Sequence, residues 1–293
     1  MKTLILVAGA TGKLGQKICR ELIKQNAAVR AIVRAGSKPE KIAALEQMGV
    51  EIVKVDLFSP QELTEACQGV SCVVSAVAGL RDVIVDSQTL ILNAAIAAGV
   101  PRFIPSDFSS DITMIPAGEN RNFDLRKEFA EKLDQSPIRA TSVFNGAFAD
   151  ILKYNTPLFN VQQKTIAYYD DKADWKVDFT TMDDTAAFTA MAALDDDAPR
   201  SLRIASFSVS PNELVALSEQ CKGSKFQLVH MGSMEGFSVY NKAQRAAQPE
   251  GENELYPRWQ QAQYLYGMFL VHHDHLDNDR YEGLTWSPVT TNL

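Results

Sequence analysis

The stretch Thr3-Leu-Ile-Leu-Val-Ala-Gly-Ala-Thr-Gly-Lys-Leu-Gly15 decides the fold, because an apolar run leads directly into a glycine loop. Gly9, Gly12 and Gly15 are three residues apart, and a helical pattern follows over residues 13–25. A buried strand, a tight glycine turn and a helix N-terminus together present free backbone N–H groups to an anionic diphosphate. We therefore predict a dinucleotide-binding loop rather than an ordinary strand-to-helix turn. The predicted contacts are Gly9, Thr11, Gly12, Lys13, Leu14 and Gly15, with Gly12 at positive φ.

The charge, the apolar runs and the cysteine content bear on nucleic-acid binding, membrane insertion and the cellular compartment. The 293 residues are 46% hydrophobic and carry a net charge of −7, so a full core is available and a nucleic-acid backbone is an unfavourable ligand. The N-terminal apolar run is too short for a signal sequence, and no stretch approaches the length of a membrane span. The four scattered cysteines form no CxxC pair, which is typical of reduced thiols. We expect a cytoplasmic protein without membrane or nucleic-acid contacts.

The first half of the chain alternates short apolar runs with helical patterns. The runs are continuous and rich in β-branched residues, which is typical of a parallel sheet covered on both faces. Because strands alternate with helices, we predict an α/β fold with a doubly wound parallel Rossmann sheet. The predicted strands are Leu4–Val7, Val29–Val33, Glu51–Val55, Cys72–Val77, Phe103–Ile104 and Thr141–Phe144. The predicted helices are Lys13–Gln25, Lys38–Gln47, Pro60–Cys67, Val83–Ala98 and Asn122–Asp134.

The regular alternation weakens after about residue 148, where aromatic residues become frequent. We predict a Rossmann domain over residues 1–150 and a smaller α+β substrate lobe over residues 151–293, partly interwoven with the first because no linker separates them. Within the lobe, we predict a helix at Asp184–Leu194 and a capping box that begins at Ser210. The polar, glycine-containing segment Gly232–Gly251 is expected to be partly loop.

The end of the second predicted strand selects the cofactor. An acidic residue there binds the ribose hydroxyls of NAD, whereas a cation matches the 2′-phosphate of NADP. Arg34 follows the strand directly, Lys38 and Lys41 come next, and no acidic residue stands at the strand end. A guanidinium binds phosphate in a bidentate manner, so we predict NADP(H), with contacts from Arg34 and Lys41. The alternative is a solvated basic turn.

Several motifs point to one family. They are Gly9–Gly15, Arg34, Gly49–Asp56, Arg102–Phe108 (Arg-Phe-Ile-Pro-Ser-Asp-Phe) and Asn278–Tyr281. With them the chain resembles the NmrA-like atypical short-chain dehydrogenases, and within these the isoflavone reductase and pinoresinol–lariciresinol reductase group. The resemblance implies an NADPH-binding Rossmann domain, a smaller substrate lobe and a pocket between the two. It also implies either the reduction of small aromatic substrates with NADPH or the sensing of the nucleotide without turnover.

The chain departs from this group at the expected catalytic position. The reductases of the group have a catalytic Lys at the start of a helix, three residues after a Phe; the spacing from Phe123 places Arg126 there, with Lys127 next. Arg is a poor proton shuttle because its pKa is far above neutrality, and one residue of offset turns a helical side chain by about 100°. We predict Lys127 or Arg126 as the catalytic group and leave the choice open. Phe123 also lacks the hydroxyl of the Tyr-x-x-x-Lys pattern of ordinary short-chain dehydrogenases, and Ser109 replaces a Gly of the group.

Further site residues are predicted at or beyond strand ends, because open α/β sheets bind ligands outside the carboxyl ends of their strands. The expected cofactor contacts are Ala76, Val77, Pro105 and Ser106, and the expected substrate contacts are Asp107, Phe108, Phe148 and Tyr154. The alternatives are a capping role for the polar residues and a place in the lobe core for the aromatic ones. His272, His273 and His275 lack the further ligands of a zinc site, so no metal is predicted.

The leading interpretation is an NADPH-dependent reductase of a small aromatic, quinone-like or enone-like substrate. The alternative is a regulatory protein that senses NADP(H) without turnover. The aromatic residues of the C-terminal lobe favour a substrate pocket, whereas the missing Tyr and the displaced Lys favour the sensor. The predicted partner is a small-molecule substrate, and a homodimer or a regulatory protein partner is left open.

Overall fold

Parallel strands of the first half form the central sheet. The computed structural model describes residues 2–156 and 158–293. Its first strands are β1 Leu4–Ala8, β2 Ala28–Val33, β3 Glu51–Lys54, β4 Cys72–Ser75, β5 Arg102–Ile104 and β6 Arg139–Ala140. They are hydrogen-bonded in parallel in the order β3-β2-β1-β4-β5-β6. This confirms the predicted Rossmann sheet, whose strand order reverses between β1 and β4, and doubly wound sheets bind ligands at that crevice.

Helices cover both faces of this sheet. The helices within residues 2–156 and 158–293 are α1 Lys13–Lys24, α2 Pro39–Gln47, α3 Pro60–Ala66, α4 Gln88–Ala97, α5 Arg121–Asp134, α6 Met182–Leu194, α7 Pro211–Lys222, α8 Met234–Ala247 and α9 Arg258–Met268. Of these, α1 to α6 pack on the central sheet. Side chains of β1 alternate between the two faces: Ile5 and Val7 pack in one core with α1, and Leu6 and Ala8 pack in a second core with α3, α4 and α5. Because both faces are covered, the strand is apolar throughout.

Part of the second half returns to the central sheet. Strand β7 Ser142–Phe144, which follows β6, pairs in parallel with β12 Ser201–Arg203, and α6 packs beside α1 in the same core. The buried guanidinium of Arg102 on β5 donates hydrogen bonds to the carbonyl oxygens of Ala192 and Ala193, at 2.7 and 3.2 Å. A cation thus satisfies the carboxyl end of α6. The chain after residue 150 contributes to the layers of the first half, and the boundary at residue 150 stays a prediction.

The rest of the second half forms the smaller α+β lobe. Its strands are β8 Ala147–Phe148, β9 Phe159–Asn160, β10 Thr165–Tyr168, β11 Val177–Thr180, β13 Phe207–Val209 and β14 Gln227–His230. They make two small sheets, β14-β10-β9 and β13-β11-β8. Helices α7, α8 and α9 pack with these sheets around an apolar core of their own, which includes Phe159, Phe179 and Phe269. The predicted α+β character of this lobe is confirmed.

Two elements of the first half differ from their predicted form. The sixth predicted strand, Thr141–Phe144, coincides with β7, which pairs with β12, whereas the strand that pairs with β5 in the central sheet is β6 at residues 139–140. The helix predicted from Val83 begins as a wider π-helical turn, Asp82–Ser87, before α4. Both differences depend on tertiary neighbours, which the local sequence pattern does not contain.

The segment Gly232–Gly251 is more helical than expected, because most of it is α8. The hydroxyl of Ser233 caps this helix by accepting a hydrogen bond from the backbone N–H of Gly236 at 3.0 Å. The capping box of Ser210 and Glu213 at the start of α7 is confirmed, with both reciprocal hydrogen bonds present. Within residues 2–156 and 158–293, no helix combines the length and the apolar character needed to cross a membrane.

Candidate active site

The glycine loop after β1 fits tightly against the end of β4. Gly9 has φ +77°, a conformation that residues with a β-carbon rarely adopt. A β-carbon at Gly9 would lie 2.5 Å from the carbonyl oxygen of Ala76, and one at Gly15 would overlap the carbonyl of Gly9. These two glycines allow the loop to lie against the residues that directly follow β4 and allow α1 to pack closely on the loop. These contacts explain why the tight turn between β1 and α1 has glycine at both positions, as the sequence predicted.

Gly12 does not have the positive φ that we expected. It is the N-cap of α1 with φ −80° and ψ 165°, so its backbone would accept other residues, and a β-carbon there would meet only the carbonyl oxygen of Gly9, at 3.1 Å. The glycine therefore leaves open space at the helix N-terminus. Among the residues that the structure describes, no side chain caps this helix, and its first turn has no acidic residue. The first N–H groups and the positive helix end therefore remain available. These features fit a diphosphate.

Contacts along the carboxyl edge of the sheet connect this loop with Arg126. The backbone N–H of Ala76 donates to the carbonyl of Ala8 at 2.9 Å. The hydroxyl of Ser106 donates to the carbonyl of Val77 at 2.6 Å. The guanidinium Nε of Arg126 then donates to the carbonyl of Ser106 at 3.0 Å. The structure thus brings four predicted elements, the glycine loop, the end of β4, the end of β5 and α5, to one edge.

The two candidate cations on α5 have different surroundings. Arg126 reaches the end of β5, and its Nη1 also donates to the carbonyl of Asn122 at 3.0 Å. Lys127 instead donates from its ammonium group to the carbonyl of Ile115, in the segment before α5. One residue of offset along the helix accounts for this difference in direction. Of the two residues that the sequence left open, Arg126 is the one whose side chain lies at the carboxyl edge.

Asp107 and Phe108 follow Ser106 but point into the protein interior. Asp107 is 1% exposed and Phe108 is 7% exposed, the latter within the core shared with α1. The carboxylate of Asp107 accepts a hydrogen bond from the hydroxyl of Ser142 at 2.7 Å. Burial raises the pKa of Asp107, although the hydrogen bond from Ser142 and the charge of Arg126 act in the opposite direction. Both side chains are buried, and the substrate contacts of Asp107 and Phe108 stay predictions.

The two other predicted substrate contacts lie farther along the chain. Phe148, at the end of β8, is partly buried and packs against the core shared with α1. Tyr154 is 62% exposed and follows a 3-10 turn. Neither side chain makes a hydrogen bond in the described part of the chain, so the substrate contacts of both residues stay predictions.

The basic residues predicted to select the cofactor lie at the neighbouring strand end. Arg34 directly follows β2 and is exposed, as is Lys41 in the first turn of α2. Neither makes an ion pair within residues 2–156 and 158–293. Their charges are therefore available to a phosphate, and their role stays a prediction.

Sequence reasoning missed a segment that covers the start of α5. Residues 249–256, which we call the strap, run past Arg121 and Asn122, the first residues of this helix. Arg121 is 7% exposed, and its guanidinium donates to strap carbonyls and to the side-chain oxygen of Asn122. Two long polar residues just after a helix cap were the available sequence signal. Their partners lie about 130 positions away, beyond the reach of a local pattern.

A second group of ionisable residues lies where the two lobes meet. A small cavity is lined by Asp111, Asp178 and His273 together with apolar residues such as Phe144 and Val271. Burial lowers the pKa of His273, and the nearby carboxylates of Asp111 and Asp178 counteract this effect. Sequence reasoning weighed His273 only as a metal ligand, and it predicted no metal. In the part of the chain that the structure describes, no group of three or more His, Cys, Asp or Glu side chains is arranged to hold a metal ion.

Comparison with known families identifies the relatives of this fold and site. The NmrA-like family matches residues 1–258, which is most of the chain. The chain belongs to the NmrA-like family. This confirms the resemblance that the glycine loop and the Arg102–Phe108 motif indicated.

Individual members of the NmrA-like family agree with this assignment. A phenylcoumaran benzylic ether reductase of Ginkgo biloba is 28% identical over 247 residues, covering 78% of both chains. An isoflavone reductase-like protein of Olea europaea is 29% identical over 249 residues, again covering 78% of both chains. A solved binary complex of leucoanthocyanidin reductase and NADPH from Vitis vinifera has a TM-score of 0.79 at 21% identity, covering 98% of this chain and 97% of that one. The last comparison supports the shared fold.

Proposed function

We propose that this member of the NmrA-like family is an NADPH-dependent reductase of a small aromatic, quinone-like or enone-like molecule. Its relatives include a phenylcoumaran benzylic ether reductase and an isoflavone reductase-like protein. The observation that carries the proposal is the position of Arg126. Its guanidinium is held at the carbonyl of Ser106, on the same sheet edge as the glycine loop.

The residues at this edge fit the cofactor. The open N-terminus of α1 would hold the diphosphate through backbone N–H groups, and Arg34 with Lys41 would hold the 2′-phosphate of NADP(H). When bound, NADPH supplies the hydride for the reduction. The proposed cofactor contacts are Gly9, Thr11, Gly12, Lys13, Leu14, Gly15, Arg34, Lys41, Ala76, Val77, Pro105 and Ser106.

Arg126 would act by electrostatics. A guanidinium stays protonated at all ordinary pH values, so it cannot exchange protons efficiently. Its fixed position and hydrogen bonds to Ser106 and Asn122 preorganise a positive charge at the edge where a substrate oxygen gains electron density,. We therefore assign Arg126 the stabilisation of this charge, and we assign Lys127 a structural role because its ammonium group is bound to the carbonyl of Ile115.

The comparison of Arg126→Ala with Lys127→Ala tests this assignment. We expect Arg126→Ala to lower kcat by about 10²-fold or more, as the loss of a preorganised charge does. Lys127→Ala should lower kcat by less than about tenfold, since the variant loses no group that faces the site. Steady-state kinetics with NADPH and a quinone acceptor measures both. A larger loss in Lys127→Ala than in Arg126→Ala would return the catalytic role to Lys127.

The location and the assembly state of the protein are part of the same proposal. We propose a cytoplasmic location on the basis of the scattered cysteines, three of which are buried and free,. Analytical ultracentrifugation of the NADP+-bound protein distinguishes a monomer from the homodimer that the sequence left open. Fractionation of cells tests the location.

A further inference from the structure

The strap over α5 is held by side chains of the helix itself. Arg121 donates to four strap carbonyls, and the side-chain amide of Asn122 donates to the carbonyl of Leu255 at 3.2 Å. The four acceptors of Arg121 are the carbonyls of Gly251 at 3.2 Å, Glu252 at 3.2 Å, Glu254 at 2.8 Å and Leu255 at 3.2 Å. Hydrogen bonds to a charged group are stronger than neutral ones, so the strap has a fixed position before any ligand binds.

The surroundings of Arg121 strengthen this attachment. Its guanidinium lies over the ring of Trp259 at 4.8 Å and beside the carboxylate of Glu252 at 3.6 Å. Burial lowers the pKa of Arg121, and the charge of Glu252 counteracts this effect. A buried cation with this many acceptors is costly to displace. The end of the strap is therefore a rigid support for the residue that it carries, Tyr256.

Tyr256 lies in the same group of side chains as Arg126. Its ring centroid is 6.2 Å from that of Tyr264 on α9. The hydroxyl of Tyr264 accepts a hydrogen bond from the amide of Asn122 at 3.1 Å, and the carbonyl of Asn122 accepts one from Arg126 at 3.0 Å. Tyr256 is 53% exposed, so unlike buried tyrosines it remains accessible to a ligand.

Burial and two neighbouring groups set the protonation state of Tyr256. Desolvation raises the pKa of Tyr256, the neighbouring Tyr264 raises it further, and the positive charge of Arg126 lowers it. The phenol is therefore protonated at neutral pH, and the phenolate that remains after proton loss has a cation nearby. Ordinary short-chain dehydrogenases carry this phenol on the helix corresponding to α5. Here Phe123 occupies that place and is 1% exposed.

We propose that Tyr256 is the proton donor of the reduction and that the strap positions it beside Arg126. The proposal rests on the proposed reductase function. When the hydride forms a C–H bond on a carbon of the quinone-like or enone-like substrate, the π electron pair of its conjugated carbonyl moves to the oxygen. The O–H bond of Tyr256 then breaks and a new O–H bond forms on that oxygen. The electron pair of the broken bond stays on the phenolate oxygen, which Arg126 stabilises, and water restores the proton after product release. The hydroxyl missing from the helix is thus supplied by a residue 133 positions after Phe123.

Tyr256→Phe tests this role, with Tyr264→Phe as the matched control. Tyr256→Phe should lower kcat by about 10²-fold or more, as loss of a general acid does, and should leave the Kd of NADPH unchanged. The fall of kcat at alkaline pH, where the phenol is ionised, should disappear in this variant. Tyr264→Phe should keep that alkaline fall. An unchanged kcat and alkaline profile in Tyr256→Phe would overturn the proposal.

A second measurement does not need turnover. Ultraviolet difference absorbance follows tyrosine ionisation in the protein without substrate. Arg126→Ala should raise the pKa of one tyrosine, because it removes the nearby positive charge, and this shift should be absent when Tyr256→Phe is combined with it. A shift that persists in the double variant would show that another tyrosine lies beside Arg126, and would overturn the proposal. Failure of the wild-type protein to oxidise NADPH with any acceptor would instead contradict the reductase function itself.

Discussion

Replacing Gly12 by Val separates cofactor binding from folding. The backbone of Gly12, with φ −80° and ψ 165°, lies in the extended region that Val adopts readily. A β-carbon at this position would meet the carbonyl oxygen of Gly9 at 3.1 Å, so the loop needs only a small adjustment. The branched side chain would otherwise fill the space in front of the first N–H groups of α1. We expect the variant to fold and to lose its affinity for NADP+.

The expected magnitude follows from the hydrogen bonds that the new side chain would block in the Gly12→Val variant. Each hydrogen bond to a charged group contributes about 1.5–3 kcal/mol. Loss of two of them weakens binding by about 3–6 kcal/mol, which is about 10²- to 10⁴-fold in Kd. The free energy of unfolding without cofactor should change by less than about 1 kcal/mol. Isothermal titration calorimetry with NADP+ and urea unfolding measure the two quantities.

Gly9→Ala is the control. In this variant we expect a loss of folding stability, whereas Gly12→Val should lose affinity for NADP+ and keep its stability. A β-carbon at Gly9 requires a left-handed backbone, which costs about 1–2 kcal/mol. The same β-carbon would lie 2.5 Å from the carbonyl oxygen of Ala76, and such overpacking costs about 1–3 kcal/mol more. We therefore expect the free energy of unfolding to fall by about 2–5 kcal/mol. A folded Gly12→Val protein that binds NADP+ as tightly as the wild type would refute the reasoning about this loop.

Two further predictions concern charge. Arg34→Ala should reduce the preference for NADP+ over NAD+ by about 1–3 kcal/mol, as measured by calorimetric titration with both cofactors; equal affinities in the wild-type protein would already contradict it. Asp107→Asn should flatten the pH dependence of stability in urea unfolding at a series of pH values. Burial raises the pKa of Asp107 in the folded state, so its contribution is present below the pKa of an unfolded Asp, about 4, and is lost as pH rises through the raised folded pKa. If the free energy of unfolding of Asp107→Asn depends on pH as in the wild type above pH about 4, Asp107 does not cause that dependence.

Local sequence patterns predicted most of the first half of the fold. Side chains at odd and even positions of β1 enter two different cores, and this requirement is visible as a continuous apolar run. The glycine loop could also be predicted from the sequence, because the close approach of Gly9 to Ala76 permits no side chain at Gly9. The role of Gly12 differed from expectation, since one pattern of glycines served two purposes, a positive φ at Gly9 and open space at Gly12.

The parts that sequence reasoning missed depend on partners far apart in the chain. Arg102 ends α6 about 90 positions later, and Arg121 holds the strap about 130 positions later. A buried Arg looks like any surface Arg until its acceptors are known. The same reason applies to the hydrogen bond between Ser142 and Asp107, whose partners are 35 positions apart; the substrate contact of Asp107 stays a prediction.

Acceptor-dependent oxidation of NADPH tests the reductase function most directly. Purified protein is mixed with NADPH and a panel of quinones, enones and aromatic benzylic ethers, and the loss of NADPH absorbance is followed with wild-type and Gly12→Val protein in parallel. We expect that at least one acceptor drives oxidation in the wild type and that Gly12→Val abolishes it. If no acceptor drives oxidation while calorimetry shows tight NADPH binding, the protein is a nucleotide sensor and the reductase function is wrong.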